Sequence, residues 1–220
     1  MLFRSRRIIL LCHAGAVPPP DLPAILPSQA PWLCEAEILT TLRGSGHQLQ
    51  VVGLTHDFAP LRKAVTDFRP HLIFNLAEAI HGDFAFERHV AAYLEVLGVP
   101  FTGSPSRAIA LAGDKAIAKS IFNQHAIATP RYAVVPSQTA STTLRSHLAD
   151  CDFLTSENAL RFPLFIKSVS SDASLGISQS SIVKSMAQLE KRLHYIHQRL
   201  GTAALLEQYI EGREIGRAHD

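Results

Sequence analysis

Residues 7–12 read Arg-Ile-Ile-Leu-Leu-Cys, an apolar run about as long as one buried β-strand. A similar run, Leu-Gln-Val-Val-Gly-Leu at residues 49–54, follows a segment with helical spacing of apolar residues at 31–42. The alternation continues as helix, strand, helix and short strand at residues 57–68, 71–76, 86–97 and 99–102. Strands that alternate with helices at these lengths indicate βαβ units. We therefore predict an α/β domain whose parallel sheet carries helices on both faces.

The pattern changes near Gly113, where we place a domain boundary. Asp114 can cap a helix predicted for residues 114–125. Strands are predicted at residues 131–135, 162–167, 177–183 and 203–209, with a helix at 185–200 and partly helical structure at 137–150. Because turns as well as helices join these strands, the second part is predicted to be an α+β unit. The predicted domains are residues 1–112 and 113–220.

Composition limits the classes of partner. The chain has 220 residues, 18% of them charged, and a formal net charge of +2, which argues against a broad basic face for nucleic acid. The sequence holds no apolar run long enough to span a bilayer. Its cysteines, Cys12, Cys34 and Cys151, are far apart and form no CxxC pair, which favours reduced thiols in a cytoplasmic protein. Neither nucleic acid nor membrane is expected as a partner.

The first residues allow a second interpretation. Arg4, Arg6 and Arg7 precede the first apolar run and a small-residue turn follows it, which resembles a secretory signal. The run is only about as long as a strand, and His13 interrupts it. A first buried strand therefore explains the segment better.

Two lysines stand at the start of the helix predicted after Gly113. Lys115 and Lys119 lie one turn apart on the same helix face, next to the partial positive charge of the helix N-terminus. Such a concentration of positive potential is favourable where an anion such as a phosphate is bound. The alternative is a solvated lysine whose charge Asp114 offsets.

A further lysine follows a later apolar strand. Lys167 ends the run Phe-Pro-Leu-Phe-Ile at residues 162–166, and a loop of small residues at 168–176 comes next. Small residues such as Ser174 and Gly176 let successive backbone N–H groups converge on phosphate oxygens. The loop lacks the Gly-Lys-Ser/Thr of a Walker A motif, and a plain hairpin connection remains the alternative.

The last predicted strand ends in residues suited to an adenine ring. Such a ring needs an apolar slot, an acceptor for its exocyclic amine and a backbone donor for a ring nitrogen. Glu207, Tyr209 and Ile210 can supply these three features, and Glu214 can bind ribose hydroxyls. A polar strand end without a ligand is the alternative.

These segments together resemble the D-alanine–D-alanine ligase family of ATP-grasp enzymes. Order and spacing agree from about residue 74 to residue 214. The matching segments are Phe-Asn-Leu-Ala-Glu at 74–78, Leu-Gly-Val-Pro-Phe-Thr-Gly-Ser at 97–104, Leu-Ala-Gly-Asp-Lys at 111–115, Ala-Thr-Pro-Arg at 128–131, Phe-Pro-Leu-Phe-Ile-Lys at 162–167, Asp-Ala-Ser-Leu-Gly-Ile at 172–177 and Tyr-Ile-Glu-Gly-Arg-Glu at 209–214.

The resemblance implies a Rossmann-like pre-ATP-grasp domain followed by the first lobe of an ATP-grasp domain. It also implies roles for particular residues. Lys115 and Lys167 contact the ATP phosphates, and the loop with Ser174 and Gly176 closes over them. The other implied contacts are the adenine amine at Glu207, the base at Gln208, Tyr209 and Ile210, and the ribose at Glu214.

The implied reaction joins small-molecule carboxylate and amine substrates, such as amino acids, through an acyl phosphate. ATP and Mg²⁺ are the implied cofactors. In the family, the Mg²⁺ ligands belong to a second lobe that would lie beyond Asp220. No metal ligand and no catalytic residue is therefore predicted within the chain, which we expect to be the N-terminal portion of such a ligase.

Two other functions stay open at this point. The chain could be a non-catalytic remnant that binds a nucleotide or a protein partner through a half-built site, and a homodimer is compatible with either function. A dinucleotide-binding oxidoreductase would need a glycine-rich turn directly after Cys12, where only Gly15 is present.

Overall fold

The structure, a computed structural model, describes residues 5–80, 83–137, 160–171 and 174–212. The expected helical structure within residues 137–150 lies outside the described residues from position 138 onward. The chain divides into two compact units, Met1–Ala110 and Leu111–Asp220.

The first unit is built on a parallel sheet. Its described strands are β1 (Arg7–His13), β2 (Gln48–Leu54) and β3 (Leu72–Asn75), arranged in the order β2-β1-β3. The helices between and after them are α1 (Leu33–Gly44), α2 (Ala59–Phe68) and α3 (Glu87–Leu97), and α4 (Ser106–Gly113) begins in this unit and extends past its last residue, Ala110. The alternation of strand and helix predicted from the sequence is confirmed.

β1 is the centre of this unit. Ile8 is 3% exposed, and Ile9 to Cys12 are fully buried. A strand with neighbours on both edges and both faces covered carries a continuous apolar run rather than an alternating one. Ile9 and Leu11 pack in one cluster with Leu61 of α2 and Leu94 of α3. The burial of β1 therefore explains why residues 8–12 form an unbroken apolar run in the sequence.

Two details of the first unit differ from the sequence prediction. Residues 99–102 do not form a full strand, because their pairing with the sheet is a single bridge between Ile73 and Phe101. The prediction of a strand there was wrong in extent. The sequence analysis assigned no element to α4, which the structure forms with none of its residues buried.

The second unit is built on an antiparallel sheet. Its strands are β4 (Tyr132–Val135), β5 (Leu164–Ser168), β6 (Ile182–Val183) and β7 (Ala204–Gln208), in the order β4-β7-β5-β6. Its helices within the described residues are α5 (Lys115–Gln124) and α6 (Met186–Tyr195). An α+β arrangement was the prediction for this part of the chain, and it is confirmed.

Helix caps follow the sequence signals closely. The Asp114 carboxylate accepts hydrogen bonds from the Ala116 and Ile117 amides, both at 2.9 Å, and so caps α5. Ser185 caps α6 in the same way. α6 ends at Tyr195 and continues directly as a π-helix at Ile196–Leu200, so helical structure reaches the predicted end before Gly201.

The strand predicted at residues 177–183 was wrong over most of its length. Residues Gln179–Ser181 form a 3₁₀ turn, and only Ile182–Val183 pair in the sheet. The Ser181 hydroxyl accepts a hydrogen bond from the Ser178 amide at 3.0 Å. Serine hydroxyls that bond to nearby backbone groups compete with strand pairing, which accounts for the difference.

The antiparallel sheet has two distinct faces. Leu164 and Ile166 of β5 and Leu206 of β7 pack in a core with Leu189 and Leu193 of α6. Because side chains alternate along a strand, the residues between them face the other side of the sheet. That opposite face carries Tyr132, Phe165, Lys167, Leu205 and Glu207. None of the helices in the described ranges has the length and apolarity needed to cross a membrane.

Leu61→Ala tests the core of the first unit. Leu61 is fully buried, so its truncation leaves a cavity and should lower the free energy of unfolding by about 3 kcal/mol. Trp32, the single tryptophan of the chain, belongs to this unit and reports its unfolding in urea by fluorescence. Val96→Ala is the matched control, because Val96 is 81% exposed and the change should be within about 0.5 kcal/mol. Equal effects of the two changes would contradict the described packing.

Candidate functional site

Glu207 lies between two lysine ammonium groups on the face of the antiparallel sheet that is opposite the core packed against α6. Its Oε1 is 2.8 Å from the Nζ of Lys119, and its Oε2 is 2.7 Å from the Nζ of Lys167. The side chains of Glu207 and Lys119 are 10% and 6% exposed, while that of Lys167 is 24% exposed. A carboxylate this deeply buried needs charged partners, and two cations fix its orientation.

Three strands and one helix place this cluster. Glu207 is opposite Tyr132 of β4 and Phe165 of β5 in the sheet register. Lys167 is two residues after Phe165 on the same face of β5, so its amine reaches the Glu207 carboxylate. Lys119 comes from α5, and its Nζ is 5.1 Å from the centroid of the Tyr132 ring.

Lys119 has a different role from the one its sequence position indicated. Spacing along α5 predicted that it adds to the positive potential beside Lys115. The structure buries it, with a hydrogen bond of 2.5 Å from Nζ to the Thr129 hydroxyl in addition to its ion pair with Glu207. Its charge is therefore largely neutralised within the protein, and the earlier interpretation was wrong. The sequence carried no signal that joined residue 119 to residue 207.

Lys115 contacts the loop that begins directly after Lys167. Its Nζ donates to the Ser171 carbonyl at 2.6 Å, and its backbone amide donates to the Val169 carbonyl at 3.1 Å. The start of α5 is therefore fastened to the end of β5. The sequence predicted that Lys115 and Lys167 serve one anion, and the structure brings both to the same loop.

The loop at residues 168–176 is shaped by its small residues. The Ser168 hydroxyl accepts hydrogen bonds from the amides of Ser170 and Ser171 at 3.2 and 3.0 Å. Ser174 has φ +57°, and its carbonyl accepts the Ile177 amide at 3.0 Å in a tight turn. Gly176 has φ +73°, and a Cβ there would meet Leu200 at 2.9 Å, so the turn requires glycine. Residues 172 and 173 lie outside the described part of this loop.

The segment after β7 is held by the Gln208 side chain. Its amide group bonds to both the N–H and the C=O of Arg161, at 3.0 and 2.9 Å. The backbone amides of Gln208 and Tyr209 donate to the carbonyls of Arg131 and Pro163. Ile210 is 66% exposed, and its amide donates to no residue that the structure describes. Glu214, predicted to bind ribose, lies outside the described residues.

The chemistry of this arrangement follows from its charges. With Lys119, Lys167 and Glu207 ionised, the cluster carries one net positive charge, and Lys115 stands at the adjoining loop. It can attract an anion at the Lys167 end, while Glu207 can accept a hydrogen bond from a neutral amine. Among the described residues there is no cluster of three or more His, Cys, Asp or Glu side chains that could hold a metal ion.

The sequence is similar to known proteins over much of its length. Residues 121–218 match the family model described as D-ala D-ala ligase C-terminus. The uncharacterized protein y4sG of Sinorhizobium fredii is 35% identical over 144 residues, which cover 66% of this chain and 37% of that protein. The D-alanine–D-alanine ligase of Pelagibacter ubique is 29% identical over 158 residues, or 70% of this chain and 45% of that enzyme. The chain thus spans less than half the length of these two relatives.

Solved structures share the fold. The crystal structure of D-alanine–D-alanine ligase from Bacillus anthracis matches with a TM-score of 0.68 at 21% identity, over 94% of this chain and 59% of that chain. The same enzyme complexed with ATP matches with a TM-score of 0.64 at 20% identity, over 94% and 60%. The family-model match, the D-alanine–D-alanine ligase relatives and the shared fold together show that the chain is similar to D-alanine–D-alanine ligases.

Proposed function

We propose that this chain supplies the nucleotide-binding part of an ATP-dependent carboxylate–amine ligase. The observation that carries the proposal is the buried Glu207 carboxylate held by Lys119 and Lys167, with Lys115 fastened to the adjoining loop. The similarity of the chain to D-alanine–D-alanine ligases supports an ATP-dependent reaction. The Bacillus anthracis relative has been crystallised with ATP.

The adenine end of the site is assigned to Glu207 and the segment after β7. A carboxylate has about four lone-pair positions, so two ion pairs leave acceptor capacity for the exocyclic amine of adenine. The Gln208 and Tyr209 amides already donate to carbonyls, so the backbone donor for a ring nitrogen is assigned to the Ile210 amide. The exposed Ile210 side chain offers apolar surface to the ring. Glu214 keeps its proposed role at the ribose.

The phosphate end is assigned to Lys167, Lys115 and the small-residue loop between β5 and β6. A lysine ammonium has three donors, and Glu207 engages one donor of Lys167 at 2.7 Å. Because Lys167 is partly exposed, its other two N–H donors can reach a ligand. The turn with Ser174 and Gly176 exposes backbone that can approach phosphate oxygens. The carboxylate of Glu207 at the adenine end and the ammonium groups of Lys115 and Lys167 at the phosphate end carry opposite charges. This difference orients the nucleotide along the sheet face.

The proposed reaction has two steps. A carboxylate oxygen of the first substrate attacks the γ-phosphorus of ATP, the bond to the β,γ-bridging oxygen breaks, and ADP leaves. The amine nitrogen of the second substrate then attacks the acyl carbon, phosphate leaves, and the amine loses a proton as the amide forms. Positioning and charge neutralisation are the contributions expected of Lys115 and Lys167.

Mg²⁺ is part of the family's chemistry, but the described residues do not fit a Mg²⁺ site, since they offer no cluster of carboxylates. No step here is assigned to the metal. Small amino acids or similar molecules are the proposed carboxylate and amine substrates, because the relatives include enzymes named D-alanine–D-alanine ligase. A cytoplasmic location remains part of the proposal.

Lys167→Met tests the phosphate end. The variant loses a charge-assisted hydrogen bond to phosphate, so ATP should bind about tenfold more weakly in calorimetric titration. Glu207 keeps Lys119 as a partner, so the fold should persist. Lys115→Met should weaken ATP binding similarly.

Lys184→Met is the matched control, because Lys184 is an exposed lysine of the same unit outside the site. Its ATP affinity should equal that of the unchanged chain. Unaltered ATP affinity in both Lys115→Met and Lys167→Met would contradict the proposal. If ATP binds but no phosphate is released when a carboxylate and an amine are added, the non-catalytic alternative is favoured instead.

Glu207→Gln tests the buried ion pairs. The change leaves Lys119 buried without a carboxylate, so the free energy of unfolding should fall by about 3 kcal/mol in urea denaturation followed by circular dichroism. Glu211→Gln, at an exposed position nearby, should change it by less than about 0.5 kcal/mol. Adding Lys119→Met to Glu207→Gln should cost less than the sum of the single changes. Strict additivity would show that the pair does not couple.

A further inference from the structure

A second basic region lies on the same unit, away from the sheet face that carries Glu207. A cleft of about 660 Å³ opens between α6 and the segment that precedes β6. Lys115, Lys167 and Glu207 do not line it. The residues that give the cleft its chemistry are Ile177, Ser178, Ser180, Lys191, Arg192 and Tyr195.

Arg192 is the buried charge of this cleft. It is only 6% exposed, and its Nη2 donates to the Gly176 carbonyl and, at 2.8 Å, to the Ser181 hydroxyl. Its Nε is buried with no acceptor, and its guanidinium carbon is 4.8 Å from the centroid of the Tyr195 ring. No carboxylate among the described residues forms an ion pair with it.

A buried guanidinium without an anionic partner is costly, because neutral acceptors replace only part of its hydration. Burial accordingly lowers the pKa of Arg192 below its usual value. The cleft adds a second cation, Lys191, and none of the described residues that line it is acidic. Within the described part of the chain, the charge of Arg192 and Lys191 is thus not balanced by a carboxylate at the cleft.

The remaining walls of the cleft are apolar or carry neutral donors. Ile177 and Tyr195 are 42% and 39% exposed, which is high for large apolar side chains on neighbouring walls. Ser178 and Ser180 contribute hydroxyl groups at the cleft. Two cations beside an apolar wall match a ligand that has a negative group at one end and an apolar group at the other.

We propose that this cleft binds a small organic oxyanion, a phosphate monoester or a carboxylate that carries an apolar or aromatic group. The oxyanion contacts the Arg192 guanidinium and the Lys191 ammonium group, which both line the cleft. The apolar group packs against Ile177 and Tyr195. The cleft lies on another face of the unit than the proposed nucleotide site, and Gly176 lines the cleft as well as belonging to the loop of that site.

The test is a titration of the 220-residue chain with phenyl phosphate, followed by NMR at the Nε–Hε resonance of Arg192. Arg192→Lys identifies the resonance by removing it. A saturable shift of this resonance is expected. Lys191→Met, at an exposed position that should not affect folding, should weaken binding about tenfold, the loss of one charge-assisted hydrogen bond.

Two control variants locate the binding. Lys184→Met removes a nearby exposed lysine that does not line the cleft, and binding should be unchanged. Lys167→Met disables the proposed nucleotide site, and the shift at Arg192 should also be unchanged. A loss of the shift in Lys167→Met would mean that phenyl phosphate acts from the nucleotide site, which overturns the proposal.

Other probes identify the ligand chemistry. Binding of benzoate as tightly as phenyl phosphate supports the proposal and extends it to carboxylates, whereas preference for phenyl phosphate supports a phosphate monoester. If inorganic phosphate binds as tightly as phenyl phosphate, the proposed contact of an apolar group with the cleft is overturned. If benzyl alcohol binds as tightly as phenyl phosphate, the proposed recognition of an oxyanion is overturned. Absence of a saturable shift with every probe, or equal affinity in Lys191→Met, overturns the proposal as a whole.

Discussion

The ion pairs of Glu207 with Lys119 and Lys167 join one helix to two paired strands of the second unit. α5 contributes Lys119, β5 contributes Lys167, and β7 contributes the carboxylate between them. Because these side chains are buried, the arrangement is sensitive to substitution: removing one of the three leaves charge in a region with little water. The same burial makes it useful, since a carboxylate held on both oxygens keeps one orientation when a ligand arrives.

The unit uses its basic residues in two different ways. At the sheet face, a carboxylate balances two lysines, and the small excess of positive charge lies beside the loop that follows β5. At the cleft beside α6, Arg192 is buried with neutral acceptors and an aromatic ring, so its charge is balanced by nothing in the described chain. Gly176 stands between the two regions, because its carbonyl accepts from Arg192 while its loop belongs to the proposed phosphate site.

Much of the fold could be predicted from residue patterns, and the failures have physical causes. The apolar runs that became β1 and β7 are buried on both faces, so their composition alone marks them. α4 was missed because it is short and buries none of its residues. At the site, Lys115 and Lys167 could be proposed from local context. The pairing of Lys119 with Glu207 could not, because it depends on how α5 packs against β7.

The central claim is that the Glu207 carboxylate, fixed by two lysines, accepts a hydrogen bond from the exocyclic amine of adenine. Calorimetric comparison of ATP with inosine triphosphate tests it most directly. The ring carbon that carries the exocyclic amine in ATP carries a carbonyl oxygen in inosine triphosphate. That oxygen would face a carboxylate without a proton to donate, so ATP should bind at least about tenfold more tightly. Equal affinity for the two nucleotides would contradict the account.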